Sequence, residues 1–137
     1  MTELASWHGY PTSGTFRTFP KGAPASYTTR LVSLNVDAQS ALPRNSAWGK
    51  GTATFQPTGT FGLILDQEYS DPKLNNQAPD RAVGCTAAQC GQHVRVFKVR
   101  NAAGVVAGSY VVTVDILGIN YDYQDDVFLV ENITPAA

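Results

Sequence analysis

The sequence predicts an all-β protein: an antiparallel β-sandwich, jelly-roll-like, built from seven or eight short strands. Three observations carry this. No stretch holds an amphipathic 3.6-residue period over ten residues, so amphipathic helices are absent from the prediction. Short segments rich in Val, Thr, Phe and Tyr recur between turn formers. The composition includes 12 Gly and 8 Pro, which suits many tight turns. A chain of 137 residues is long enough for one domain with its own core.

Residues 1–14 read as irregular. Thr15 to Phe19 reads as a short edge strand, stopped by Pro20, Gly22 and Pro24. Ser26 to Val36 is β-branched and bounded by turn residues, a strand. Leu42 to Gly49 reads as a loop. Gly51 to Pro57 alternates and stops at proline, and Thr60 to Asp66 is a further apolar strand. Residues 67–91 read as a long polar loop. His93 to Arg100 shows the cleanest alternation, and Asn101 to Gly104 a turn. Ser109 to Leu117 and Val127 to Ile133 supply the last two strands.

Net charge is −1 with 15% charged residues, which gives no electrostatic footprint for nucleic acid or an anionic membrane. No apolar run approaches the roughly 18 residues that span a bilayer. The opening Met1 to Ser6 lacks the basic and apolar regions of a signal peptide. Either the protein is cytosolic, or residues 1–137 are a single module excised from a larger secreted protein. The cysteines favour the second. Cys85 and Cys90 flank a short loop between Gly84 and Gly91, a spacing too wide for a thioredoxin-type pair and without the extra ligands of a zinc site. A local disulfide is the preferred reading, two free thiols the alternative; a disulfide indicates an oxidising compartment.

The most telling segment runs from Asp115 to Asp126. Asp115, Asp122, Asp125 and Asp126 join Asn120 and Gln124 there, between two strand-like segments. So much negative charge at one hairpin end repels itself unless a cation or several hydrogen bonds offset it. Oxygen-only ligands suit calcium, which accepts six to eight of them in flexible geometry. The expected ligands are Asp115, Asn120, Asp122 and Asp125. Asp126 is expected to point away or stand behind them. Asp66, in the acidic stretch Asp66 to Asp71, is a further candidate ligand. The alternative is an acidic turn that is merely solvated.

The run Asn120-Tyr121-Asp122-Tyr123-Gln124-Asp125-Asp126-Val127-Phe128, with Asp115 before it, resembles the D-x-D-Y-N-D-x-V-F ending of accessory β-sandwich domains in large secreted bacterial proteins. The resemblance covers residues 108–135, with fainter likeness at Gly59 to Leu63 and Gly91 to Phe97. Gln124 stands where Asn is usual, which weakens it as a side-chain ligand. The resemblance implies bound calcium and a secreted, multidomain setting beside carbohydrate-active enzymes or adhesins.

Carbohydrate recognition uses exposed aromatics that stack on sugar rings. Trp7, His8, Tyr10, Trp48, Tyr69, Tyr121 and Tyr123 fall in loops or at strand ends, with Trp48, Tyr69 and Tyr121 the candidates for sugar contact and Trp48 the first choice. Aromatics in such places also cap sandwich cores, and Tyr123 is expected there. No Gly-x-Ser-x-Gly elbow or phosphate loop occurs, and neither His8 nor His93 has a neighbouring nucleophile in sequence. Carboxylate pairs for glycoside hydrolysis could be drawn from Asp66, Glu68 and Asp115, yet the aspartates are better explained as ligands. The expectation is therefore a non-catalytic, monomeric, calcium-stabilised module directed at a polysaccharide or other glycan, secreted or on a bacterial cell surface. The alternative is a structural spacer or adhesion domain stiffened by calcium.

Overall fold

A computed structural model describes residues 1–7, 14–32, 39–41, 51–86, 88–118 and 121–136. Two antiparallel sheets face each other across one core, as expected. Five strands form the larger sheet: β1 (Thr2–Ser6), β4 (Ser40–Ala41), β7 (Val94–Asn101), β8 (Gly104–Val114) and β9 (Asp126–Glu131), in the order β4-β1-β9-β8-β7. The smaller sheet has the order β3-β2-β5-β6, from β2 (Thr15–Pro20), β3 (Thr28–Val32), β5 (Phe61–Leu65) and β6 (Glu68–Tyr69).

Alternation puts every second residue of β9 inward, so Phe128 and Val130 are buried while Val127 and Leu129 are half-covered. Val112 and Val114 lie directly opposite Phe128 and Asp126 across the β8–β9 ladder. The smaller sheet answers with Phe16, Leu31, Leu63 and Leu65. Phe16 meets Phe128 edge to face at 5.0 Å, which joins the two layers at the centre. Each such buried side chain contributes about 1.5–3 kcal/mol.

Three elements differ from expectation. β1 lies in the stretch read as irregular. Its buried residues are Glu3 and Ser6, so it carries no apolar inward face, and its register shifts between Glu3 and Ala5. β2 is not an edge strand: it pairs with both β3 and β5, and its buried Phe16 and Phe19 outweigh the polar Thr15, Arg17 and Thr18. Gly51 to Pro57 forms no strand beyond a single bridge between Thr2 and Thr52, although Glu3 N–H and Ala53 N–H bond across to Gly51 and Met1 carbonyls.

The polar stretch 67–91 is more ordered than its composition implies. It holds β6, a 3-10 turn at Pro72–Leu74 begun by Asp71, and a one-turn helix, α1 (Ala78–Ala82). Asn75 pins it: its amide donates to the carbonyls of Tyr69 and Gly91, and its side-chain oxygen accepts from Tyr69 N–H. The Cys85–Cys90 disulfide is formed, with Cα atoms 5.6 Å apart.

Candidate functional site

The segment after β8 is shaped by its own backbone. A kinked turn at Ile116–Gly118 places Leu117 and Gly118 at φ +69° and +61°. Asp125 holds the returning chain against it. Its carboxylate accepts from Ile116 N–H at 2.6 Å, its own N–H donates to Val114 O, and its carbonyl accepts from Trp7 N–H.

Asp115, at the head of this turn, is 0% exposed. Its backbone N–H donates to His93 O at 2.9 Å, but neither carboxylate oxygen makes a hydrogen bond of normal geometry among the described residues. Burial pushes its pKa up to about 6, and the negative charges of Asp125 and Asp122 push the same way. The Tyr121 backbone and the charge of His93 pull weakly against them. Asp122 is exposed and accepts from Gln124 Nε2 at 3.0 Å. The structure thus brings Asp115, Asp122 and Asp125 within electrostatic reach of one another around a single loop. Asn120 lies outside the described residues. Among the described residues, no group of three or more His, Cys, Asp or Glu side chains is gathered tightly enough to form a ready metal cage.

Asp66 is not part of this group. It ends β5 at φ +55°, where its carboxylate accepts from Thr15 N–H at 2.7 Å and its carbonyl from Arg17. It faces Asp126, the fully buried first residue of β9. Burial raises the Asp126 pKa far above the carboxylate range, and the charge and hydrogen bond of Asp66 raise it further. Ser6 opposes the shift and Glu3 adds to it. Burial and the neighbouring carboxyl both favour the protonated form of Asp126.

A third acidic arrangement was not anticipated. His93 is 1% exposed and stands between two carboxylates, with Nδ1 at 2.5 Å from Glu68 and Nε2 at 2.9 Å from Asp80. Burial alone would lower the imidazole pKa, but the hydrogen bonds and charges of Glu68 and Asp80 outweigh it, and the pKa is raised. Both partners thus favour the protonated ring, in which each nitrogen donates to an acid. Asp80 also accepts from Gly91 N–H, and Glu68 from Leu117 N–H at 3.0 Å. This ion triad ties α1, β6, the start of β7 and the Ile116–Gly118 turn together. With both nitrogens engaged, His93 has no free position to offer a substrate. The sequence separations, 25 residues to Glu68 and 13 to Asp80, left no local motif to read.

The aromatic candidates separate clearly. Trp48, with His8 and Tyr10, lies outside the described residues. Trp7 is 40% exposed. Tyr69 packs edge-to-face on Phe19 at 5.8 Å and is a cap on the smaller sheet's core rather than an open platform. Tyr121 and Tyr123 lie 6.3 Å apart, with planes inclined at 41°. Together with Val83, Cys85, Gln89 and Arg95 they line a cleft of about 280 Å³. Tyr123 is not in the core: its ring lies under the Arg95 guanidinium at 4.2 Å, and its hydroxyl donates to Gln92 O at 2.7 Å. No protein family, curated protein or solved structure matches this chain.

Proposed function

We propose that this chain is a non-catalytic, calcium-stabilised module that binds carbohydrate as part of a secreted or cell-surface protein. One observation carries the reading. The loop 115–126 supplies both a buried carboxylate under the charge of two others and the tyrosine wall of a small cleft beside the disulfide. The oxygen-only chemistry of these side chains suits a hard cation, which would have to draw them closer together than they stand. Asp115 offers two oxygens without hydrogen bonds of normal geometry among the described residues, and the charges of Asp125 and Asp122 both bear on it. A calcium ion at this loop would neutralise that repulsion and fix the spacing of Tyr121 and Tyr123. Asp66, bonded to Thr15 and beside Asp126, is left out of this proposed ligand set. The disulfide fits an oxidising environment.

The spacer or adhesion reading keeps one supporting observation. Val96, Phe97 and Val105, on the β7–β8 hairpin at the edge of the larger sheet, are about half exposed. Affinity electrophoresis separates the two readings. A module that binds glycans is retarded on at least one of a panel of neutral and acidic polysaccharides, and retardation weakens in chelator. Unchanged mobility on every glycan, in calcium and in chelator alike, leaves the spacer reading.

A further inference from the structure

The cleft has one charged side chain in its lining. Arg95 lies on β7 with its guanidinium over the Tyr123 ring, and no carboxylate pairs with it among the described residues. A guanidinium carries five N–H donors, more than its contact with Tyr123 can use, and a planar carboxylate is the acceptor that matches its fork two-for-two. The remaining lining is a sugar's complement. Two inclined tyrosine rings offer apolar faces, and the Gln89 amide offers a donor and an acceptor. At about 280 Å³ the space sits at the small end of ligand sites, the size of a single ring rather than an extended chain. The walls are also held in place. Cys85 on one side is tethered by its disulfide to Cys90 and Tyr123 on the other is held by its hydrogen bond to Gln92, so little ordering is left for binding to oppose. Tyr121 and Tyr123 both adopt positive φ, +56° and +55°, a backbone that non-glycine residues hold only where the surroundings impose it.

We infer that this cleft binds a carboxylated sugar, a hexuronate residue, with Arg95 on the carboxylate and Tyr121 and Tyr123 against the ring. The inference rests on the glycan-binding reading and narrows it. The test is affinity electrophoresis of the wild-type protein on polygalacturonate and on the same polymer fully methyl-esterified, which keeps the backbone and removes the charge. Polyglutamate and a sulfated galactan serve as controls for charge alone. Retardation is expected on polygalacturonate only. It should weaken at least tenfold for Arg95→Gln and partly for Arg95→Lys, which keeps the charge and loses the fork. Arg95 is exposed, so both variants should melt within a few degrees of wild type. Equal retardation on the esterified polymer, or retardation unchanged in Arg95→Gln, overturns the inference while leaving glycan binding standing. Equal retardation on polyglutamate or the sulfated galactan reduces the site to a charge patch and overturns it as well. Failure on every glycan removes both readings together.

Discussion

Replacing Asp115 with Asn should make the calcium-free protein more stable, not less. Asp115 is fully buried, and its carboxyl is displaced from an ordinary 3.8 to about 6. The folded state thus binds this proton more tightly than the unfolded chain does. Stability from this group is highest below about pH 4, falls as pH rises through 6, and stays reduced above that. At about 1.4 kcal/mol per pH unit, the ionised side chain costs the folded state up to about 3 kcal/mol at pH 8. Local relaxation reduces this, so an isosteric amide should recover about 1–3 kcal/mol, which for a domain of this size is about 3–9 °C in Tm. The proposed calcium should reverse the order. An ion bound only by the folded wild type adds RT ln(1 + [Ca]/Kd), about 2.7 kcal/mol at a hundredfold excess over Kd, and Asp115→Asn forgoes most of it. Melting curves in chelator and in millimolar calcium, at pH 4.5 and pH 8, test all parts. The variant should melt above wild type in chelator at pH 8, close to it at pH 4.5, and below it in calcium. A variant that melts several degrees below wild type in chelator at pH 8 would show that the Asp115 charge is already satisfied inside the protein, and the reasoning fails.

Three other outcomes follow from the same geometry. His93→Gln leaves Glu68 and Asp80 buried without their cation, at a cost of about 3–5 kcal/mol. Because the folded His93 pKa is raised, its contribution is full below about pH 6.5 and is lost as pH climbs through the folded value; urea unfolding at pH 5.5 and pH 9 should show the wild-type advantage shrinking at the higher pH. Gly118→Ala should destabilise strongly, since a Cβ there would collide with His93 and Asp80 at φ +61°. Gly22→Ala, at φ +81° with open space around it, should cost only about 1 kcal/mol by thermal melting. Paired Cys85→Ser and Cys90→Ser substitutions should cost about 2 kcal/mol in the chain-entropy model and leave the β-sheets intact by far-UV circular dichroism; two reactive thiols in the unreduced, denatured wild type would contradict the disulfide.

The fold was legible where apolar residues alternate on one face. β8 and β9 read directly from Val112, Val114, Phe128 and Val130, and β5 from Leu63 to Leu65. β1 was not legible because its inward residues are Glu3 and Ser6, partners of a carboxyl pair rather than of the core. β2 looked like an edge because Thr and Arg dominate it, and only its two neighbours reveal that Phe16 sits at the centre. At the site, the crowding of Asp115 with other acids was legible, but its complete burial was not. For Asp66, acidic character in a strand-end turn did not tell which neighbours it meets, which are Thr15, Arg17 and Asp126. The Glu68–His93–Asp80 triad lay beyond local reading, since Asp80 enters through a one-turn helix inside a stretch with no periodicity. The cleft was half legible: Tyr121 stood out as a loop aromatic, whereas Arg95 looked like an ordinary outward residue of an alternating strand.

Calcium titration calorimetry on metal-free protein at pH 7.5 tests the central claim most directly. The account predicts one ion per wild-type chain, with affinity reduced at least tenfold in Asp115→Asn and in Asp122→Ala. No heat on titration, together with no metal in the purified protein, would mean that the loop 115–126 is an acidic turn held by hydrogen bonds alone.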